Sequence, residues 1–551
     1  MSRPSQQHEP TKYVFVVGGV MSGVGKGVAT SSIGTILKAR GFSVTALKID
    51  PYINVDAGTM NPTEHGEVFV TTDGDETDQD MGNYERFLDT TLTSVNYMTT
   101  GRVYRSVIDK ERNLGYKGKC VQVVPHIPLE VIRRIKRAAK GVDIAVIEVG
   151  GTVGEYENIL FIEAIRMLKL RQPKDVAVVM VSYLPVPSKI GEMKTKPTQH
   201  AVRTLNASGV HPDFIIARSD RPLDKKRKEK LSQFCNVPEE RLVSAPDVHS
   251  IYDVPINFEK DHMSDHVLSC LGLTPRTKPQ LGPWKAFARK VHSVEREVNI
   301  AVVGKYFDTG DFVLSDAYIS VLEAIKFSAY KLGVKPRIHW LNSKEYEQGV
   351  PRSGLGNYDG VLVPGGFGET GIEGKIHVIK YARTHDLPFL GLCYGMQLMV
   401  IEHARHVLKL RDAHTVEIRP DTLHPVIDIL PEQKRLMAEG NYGGTMRLGA
   451  YPAHLKKGTI ARALYGSDVV EERHRHRYEV NPEYIERLTE AGLVFSGTSP
   501  DGVLMEIAEL PKGVHPFFVG SQFHPEFLAR PLDPHPLFTG FVRAAKRHAG
   551  V

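Results

Sequence analysis

The stretch YVFVVGGVMSGVGKG (13–27) decides the reading of the N-terminal half. An apolar run ends in a glycine-rich turn, and the residues after it read as a helix over 25–40. A strand, a glycine-rich turn and a helix N-terminus make a cradle for an anion, because free backbone N–H groups and the helix dipole point at the same place. Lys26 in that turn suits the β- and γ-phosphates of a nucleotide. The usual phosphate loop follows its lysine with a Ser or Thr whose hydroxyl holds magnesium. Here that place belongs to Gly27, and the first glycine is one residue out of the usual spacing. A cation at this loop needs oxygen ligands from elsewhere.

Two sources of carboxylate are at hand. The apolar run DIAVIEVGG (143–151) reads as a strand whose acid, Glu148, stands where a Walker-B acid would. The stretch 64–85 carries eight acidic residues and no Lys or Arg. Magnesium favours one or two carboxylates with phosphate oxygens and water. Composition alone does not choose Asp80 over Asp73, Asp75 or Asp78.

Strands and amphipathic helices alternate from this loop through residue 270, which predicts a parallel sheet covered on both faces. Residues 271–296, rich in Pro and Gly at their start, read as a linker. The alternation restarts at VNIAVVGKY and gives a second α/β domain over 297–551. The fold expectation is therefore α/β throughout: a phosphate-loop-like domain over 1–270 with a parallel sheet and flanking helices, then a second domain. A length of 551 residues accommodates both.

A net charge of +6 is mild at this size and predicts no bulk nucleic-acid binding. The basic runs KKRKEK (225–230) and RHRHR (473–477) read as solvated faces. The N-terminus has no apolar core of signal-peptide length, and no stretch approaches the ~20 apolar residues of a membrane span. No membrane partner and a cytoplasmic location are expected. The four cysteines are scattered without zinc-site spacing.

In the second domain, Gly391-Leu392-Cys393-Tyr394-Gly395 joins a strand to a helix, the layout of a nucleophile elbow. A helix N-terminus behind Cys393 favours its thiolate. His524-Pro525-Glu526 offers a base and an orienting acid, and VPGGFG (363–368) offers N–H groups for an oxyanion. Singly, each has a bland reading as packing, surface turn or loop. In this order they closely resemble the class I (triad) glutamine amidotransferase domain. The resemblance implies Cys393 as nucleophile, His524 as base and Glu526 as its orienter. It places glutamine near Gly365, Gly366, Phe367, Tyr394, Gly395, Met396, Gln397, Glu417 and Arg477. Ammonia made there needs an acceptor activated by the first half.

The stretch 47–87, VQVVPHI (121–127), EVGGTVGEYE (148–157) and MKTKPTQH (193–200) resemble the synthetase domain of the CTP synthase family. GGTMRLGA (443–450) and ERHRHRYEVN (472–481) extend that resemblance over nearly the whole chain. It implies a glutamine-hydrolysing ligase: ATP phosphorylates the 4-oxygen of UTP, and ammonia passed between the domains displaces the phosphate to give CTP. It assigns ATP to Gly23, Val24, Gly25, Lys26, Gly27, Val28, Lys48, Asp80, Asp247 and Val248, and magnesium to Asp80 and Glu148. UTP falls to Ser22, Lys194, Thr195, Lys196, Pro197, Thr198, Gln199 and Lys230. Inhibitory CTP shares Ser22, Lys194, Gln199 and Lys230 and adds Glu155, Tyr156 and Glu157. GTP as activator and a homotetramer are also implied.

Three positions depart from the family pattern. Gly23 replaces a common Ser, Tyr156 a smaller aliphatic residue, and Asn83 a His in GNYE. The second bears on the strength of CTP feedback. A rival reading is another ATP-dependent amidotransferase of the corrinoid-amidating type, which the KTKPTQ segment and the acidic stretch oppose. A regulatory ATPase with a degenerate glutaminase is opposed by the intact Cys393, His524 and Glu526. A purely structural filament protein is the third rival, and in this family assembly accompanies catalysis.

Overall fold

The computed structural model describes residues 10–189, 191–304, 315–351, 354–366, 368–429 and 446–551. The chain divides into two compact units. The first comprises residues up to Thr59 together with Asp80–Arg289, and the second comprises Met60–Gln79 with Lys290–Val551. The acidic stretch is thus split: residues 64–79 belong to the second unit, and Asp80 and Glu85 to the first. The stretch expected as a linker contains a packed helix, Gly282–Ser293. Its Trp284 is buried, with its ring 4.9 Å from that of Phe87 and its indole N–H donating to the Tyr252 carbonyl at 2.8 Å.

The first nine strands are β1 (Lys12–Gly18), β2 (Val44–Asp50), β3 (Phe69–Val70), β4 (Glu76–Thr77), β5 (Tyr97–Thr99), β6 (Ile144–Val149), β7 (Val176–Tyr183), β8 (Phe214–Ser219) and β9 (Leu242–Pro246). Seven of them form the sheet of the first unit in the order β5-β2-β6-β1-β7-β8-β9, parallel at every pairing. Their apolar runs are buried on both faces, as a helix-covered parallel sheet requires. In such a sheet the loops after the carboxyl ends share one edge, where ligands bind. Adjacent strands β2, β6 and β1 bring Lys48, Glu148 and the glycine-rich turn to that edge. The expected helix runs Lys26–Lys38, directly after Gly25 at φ 83°.

In the second unit, β3 and β4 form an antiparallel hairpin. The remaining strands are β10 (Glu297–Gly304), β11 (Lys335–Asn342), β12 (Gly360–Val363), β13 (Phe389–Leu392), β14 (Ala413–Thr415), β15 (His424–Ile429), β16 (Arg447–Leu455), β17 (Val469–His476), β18 (Tyr478–Val480), β19 (Val494–Thr498), β20 (Met505–Glu509) and β21 (Phe518–Ser521). The main sheet runs β11-β10-β12-β13-β21-β20-β19-β16-β17. Its first five strands are parallel, as the sequence alternation predicts, and the other four are antiparallel. Neighbouring β13 and β21 end just before Cys393 and His524.

The run RHRHR corrects an expectation: Arg473, His474 and His476 are buried. Side chains alternate along β17. Arg473 donates to the Val70 carbonyl at 3.0 Å and to Thr72 Oγ1 at 2.9 Å, and Arg475 to Glu76 Oε1 at 2.7 Å. The two histidines pack elsewhere, with 2.9 Å between His474 Nδ1 and His476 Nε2. KKRKEK lies on the helix Lys225–Cys235 and is largely exposed, as expected. Among the described residues no helix is long and apolar enough to cross a membrane.

Candidate active sites

In the first unit Lys48 and Glu148 are register partners on β2 and β6. The Lys48 ammonium lies 2.5 Å from Asp80 Oδ2 and 2.9 Å from Glu148 Oε1, with Asp50 Oδ1 at 3.8 Å. Lys26 Nζ donates to the Gly151 carbonyl at 3.0 Å. Burial pushes the Lys26 ammonium below its ordinary range, against the pull of Glu148. Burial also pushes Glu148 up, and Lys48 offsets part of that. For Asp80 burial acts upward too, but Lys48 and the Asn83 amide outweigh it and hold the carboxyl below its usual range.

Gly27 explains why the loop lacks a hydroxyl. A Cβ built there would lie 2.0 Å from Asp80 Oδ1 and 2.5 Å from its Cγ. The Asp80 carboxylate occupies the space where the side chain of a Ser or Thr would begin. Asp80 starts the helix Asp80–Leu88, and this placement separates it from the other acids of the stretch. Asp73 instead closes a local turn, accepting from Thr71 Oγ1 at 2.7 Å. With Asp80 and Glu148 beside the phosphate loop, the donor set fits a hard, oxygen-seeking cation.

Beside the loop lies a cavity of about 230 Å³, lined by Gly23, Gly25 and Val28 on one side and by Val248, Ile251 and Phe258 on the other. Val24, between the two loop glycines, is buried. Asp247 is held by Arg218, whose Nη2 donates to Asp247 Oδ1 at 2.9 Å. Arg218, Ile251 and Phe258 line this cavity without any signal in the local sequence.

The remaining positions expected to hold nucleotide are spread over the unit. Thr195, Thr198 and Gln199 are buried: Gln199 Nε2 donates to Thr195 Oγ1 at 3.1 Å, and Thr198 shares a 2.8 Å hydroxyl bond with Ser182. Pro197 lies in the first turn of the helix Lys196–Ala207. Lys194 pairs with Glu192 at 2.8 Å. Glu155 accepts from the Thr152 amide and hydroxyl at 2.9 and 2.7 Å. Ser22, Lys196, Lys230, Tyr156 and Glu157 are exposed, Tyr156 by 85%.

In the second unit Cys393 turns from β13 into the helix Tyr394–His406 at φ 49°, ψ −100°. A non-glycine residue there is strained, a state characteristic of functional turns. The turn is tight: a Cβ on Gly395 would lie 2.2 Å from the Val363 carbonyl oxygen. His524 Nδ1 is 2.7 Å from Glu526 Oε1, and the imidazole lines the same cavity as Cys393. Burial opposes protonation of His524, but Glu526 and Cys393 outweigh it and raise the imidazole well above its ordinary range. Backbone carbonyls of β17 steady both residues: the His524 amide donates to Arg473 at 2.8 Å, and Cys393 Sγ lies 3.8 Å from the Arg475 oxygen.

Gly365, Gly366, Cys393, His524, Glu67 and Arg475 line a small cavity of about 70 Å³. Tyr394 Oη reaches the Gly368 carbonyl at 3.4 Å, and the Gly368 amide donates to Glu417 at 3.1 Å. Gln397 Nε2 donates to the Tyr478 carbonyl at 2.9 Å. The Met396 side chain is buried in the hydrophobic core. Arg477 is half-buried, with its Nε without a partner among the described residues. Phe367 lies outside the described residues. Glu67, Arg475 and Gln522, whose amide lies 3.8 Å from Cys393 Sγ, join this site unforeseen by sequence reasoning.

Comparison with known proteins follows the same division. Residues 12–273 match the family description "CTP synthase N-terminus", and residues 313–544 match "Glutamine amidotransferase class-I". The CTP synthase of Thermococcus gammatolerans is 51% identical over 97% of this chain and 99% of its own length. That of Nostoc punctiforme is 50% identical over 97% of each. The glutaminase domain of Trypanosoma brucei CTPS, solved with bound acivicin, is 36% identical over 45% of this chain and 94% of that one, at a TM-score of 0.41. With half of its residues shared over nearly the full length of both proteins, this chain belongs to the CTP synthase family.

Proposed function

We propose that the chain aminates UTP to CTP, using ATP and ammonia released from glutamine. The observation that carries this reading is the pairing, in one chain, of a strained Cys393 beside His524–Glu526 with a phosphate loop beside the buried Glu148 and the half-buried Asp80. In the second unit Cys393 Sγ attacks the glutamine carboxamide carbon. His524, oriented by Glu526, delivers a proton to the departing nitrogen, and ammonia leaves. Water then hydrolyses the thioester to glutamate. The N–H groups around Gly366 are suited to the oxyanion of the tetrahedral intermediate.

In the first unit Lys26 and the loop amides bind the ATP phosphates, and Lys48 approaches the transferring group. The cavity lined by Val248 takes the adenine. Asp80 and Glu148 would hold magnesium, which supplies charge neutralisation at the phosphates. Transfer of the γ-phosphoryl group to the 4-oxygen of UTP makes that oxygen a good leaving group. Ammonia adds at C4, phosphate departs, and CTP remains.

We assign UTP to Ser22, Lys194–Gln199 and Lys230, and inhibitory CTP to an overlapping set with Glu155, Tyr156 and Glu157. Family membership supports extending the reading to GTP activation, a homotetramer and a cytoplasmic location. Tyr156, fully outward in one chain, has room to contribute to a ligand or a neighbouring subunit.

CTP formation from UTP, ATP and magnesium tests the reading, with glutamine or an ammonium salt as nitrogen source. Cys393→Ala should make CTP from ammonium and none from glutamine. Wild-type protein that hydrolyses ATP but makes no CTP from either source would overturn the UTP assignment.

A further inference from the structure

The helix Asp80–Leu88 does more than supply Asp80. Three residues on, Asn83 Nδ2 donates to Asp80 Oδ1 at 3.3 Å, and Arg86 in turn donates to Asn83 Oδ1 at 3.1 Å. Four residues on, the fully buried Tyr84 donates its hydroxyl to Glu148 Oε2. Residues three and four apart lie on one helix face, so one short element reaches both acids. The other oxygen of each acid, Asp80 Oδ2 and Glu148 Oε1, is held by the Lys48 ammonium. Each carboxylate therefore has one oxygen tied to a neutral donor and one turned toward a shared positive charge. The third nearby acid is drawn off separately: Asp50 Oδ2 accepts from Tyr52 at 3.0 Å.

We propose that Tyr84 and Asn83 are positioning residues for the magnesium carboxylates, each fixing one oxygen so that its partner oxygen is presented to the cation. The inference rests on the assignment of Asp80 and Glu148 to magnesium. Asn83 is one of the departures from the family pattern, and its neutral amide fulfils this role in the present chain. Hydrogen-bond partners behind a metal ligand fix its orientation, and their loss typically weakens metal binding 10- to 100-fold. A Tyr84→Phe change removes one hydroxyl, leaving the ring in its packing and the Glu148 Oε2 without its donor.

The test is equilibrium binding of Mn²⁺, read by electron paramagnetic resonance, to the full chain saturated with a non-hydrolysable ATP analogue. The same analogue is titrated without metal in EDTA by calorimetry. Tyr84→Phe should weaken Mn²⁺ binding about 10-fold or more, and Asn83→Ala a few-fold, with metal-free analogue binding near wild type in both. Glu148→Gln serves as the reference and should lose the Mn²⁺ site. Wild-type Mn²⁺ affinity in Tyr84→Phe and Asn83→Ala, beside its loss in Glu148→Gln, would overturn the positioning role alone. Equal loss of metal-free analogue binding would also overturn it, since that marks damaged packing. Unchanged Mn²⁺ binding in Glu148→Gln would remove the magnesium assignment, and the inference with it. Should Tyr84→Phe fail to fold, the half-buried Asn83 decides the question through Asn83→Ala.

Discussion

Adding a single methyl group at Gly27 should disable the amination site by displacing Asp80, without removing any side chain from it. In Gly27→Ala the new Cβ would sit 2.0 Å from Asp80 Oδ1, far inside the 3.4 Å at which ordinary contact begins. Asp80 is short, starts its helix and is tied to Lys48 and Asn83, so it cannot swing away freely. Overpacking of this kind costs about 1–3 kcal/mol, which lowers the unfolding temperature of a unit this size by about 2–4 °C per kcal/mol. The larger effect is on chemistry, because Asp80 is pushed from the place where it faces the phosphate loop. Ammonium-dependent CTP formation should fall at least 10-fold, and the magnesium concentration for half-maximal rate should rise. A double-variant cycle isolates the cause. If the clash is with Asp80, Gly27→Ala/Asp80→Ala should be destabilised by less than the sum of the single changes, by about 1–3 kcal/mol, while remaining inactive. Strict additivity, or a Gly27→Ala protein with wild-type magnesium dependence, would refute the claim that Asp80 fills the seat of the missing hydroxyl.

In the glutaminase site, Glu526→Gln should cut glutamine-dependent CTP formation by about 10²–10⁴-fold through loss of the orienting carboxylate, with ammonium-dependent formation near wild type; comparable losses with both nitrogen sources would count against its role. Trp284→Ala opens the aromatic cluster with Phe87 and Tyr252 and should destabilise the first unit by about 3–5 kcal/mol, measured by urea unfolding. Burial, and next to it Glu506, pushes the Glu479 carboxyl from 4.5 up to about 8. The folded form then keeps a proton that the unfolded chain has released. The stability this group contributes is fully present below pH 4.5 and is lost as pH rises toward 8. Glu479→Gln should therefore flatten the decline of the second unit's unfolding temperature between pH 5 and pH 8; an unchanged slope would show that Glu479 is ionised in the folded protein.

The features that sequence reasoning reads well are those whose physics is local. The phosphate loop, the strand ending near Glu148 and the turn at Cys393 each need a run of apolar residues followed by glycines, and such patterns survive without knowledge of the partner. The acidic stretch shows the opposite case. Eight acids within 64–85 have one composition but two fates, since residues 64–79 fold with the second unit and Asp80 begins a helix in the first. Nothing local marks the break at 79/80, and only the family motif singles out Asp80. RHRHR misleads for a related reason. A dense basic run is solvated unless something buries it, and the groups that receive Arg473 are Val70 and Thr72, some 400 residues earlier in the chain. Their pairing puts a strand at the back of Cys393 and His524, whose backbone oxygens then steady both. Asn83 combines the two lessons. As a letter differing from the usual His it has no meaning, yet three residues after Asp80 on a helix its amide is in reach of that carboxylate. The substitution keeps a hydrogen-bond donor at the position and removes a titratable one. On the positioning reading, what the site uses there is a hydrogen-bond donor three residues after Asp80.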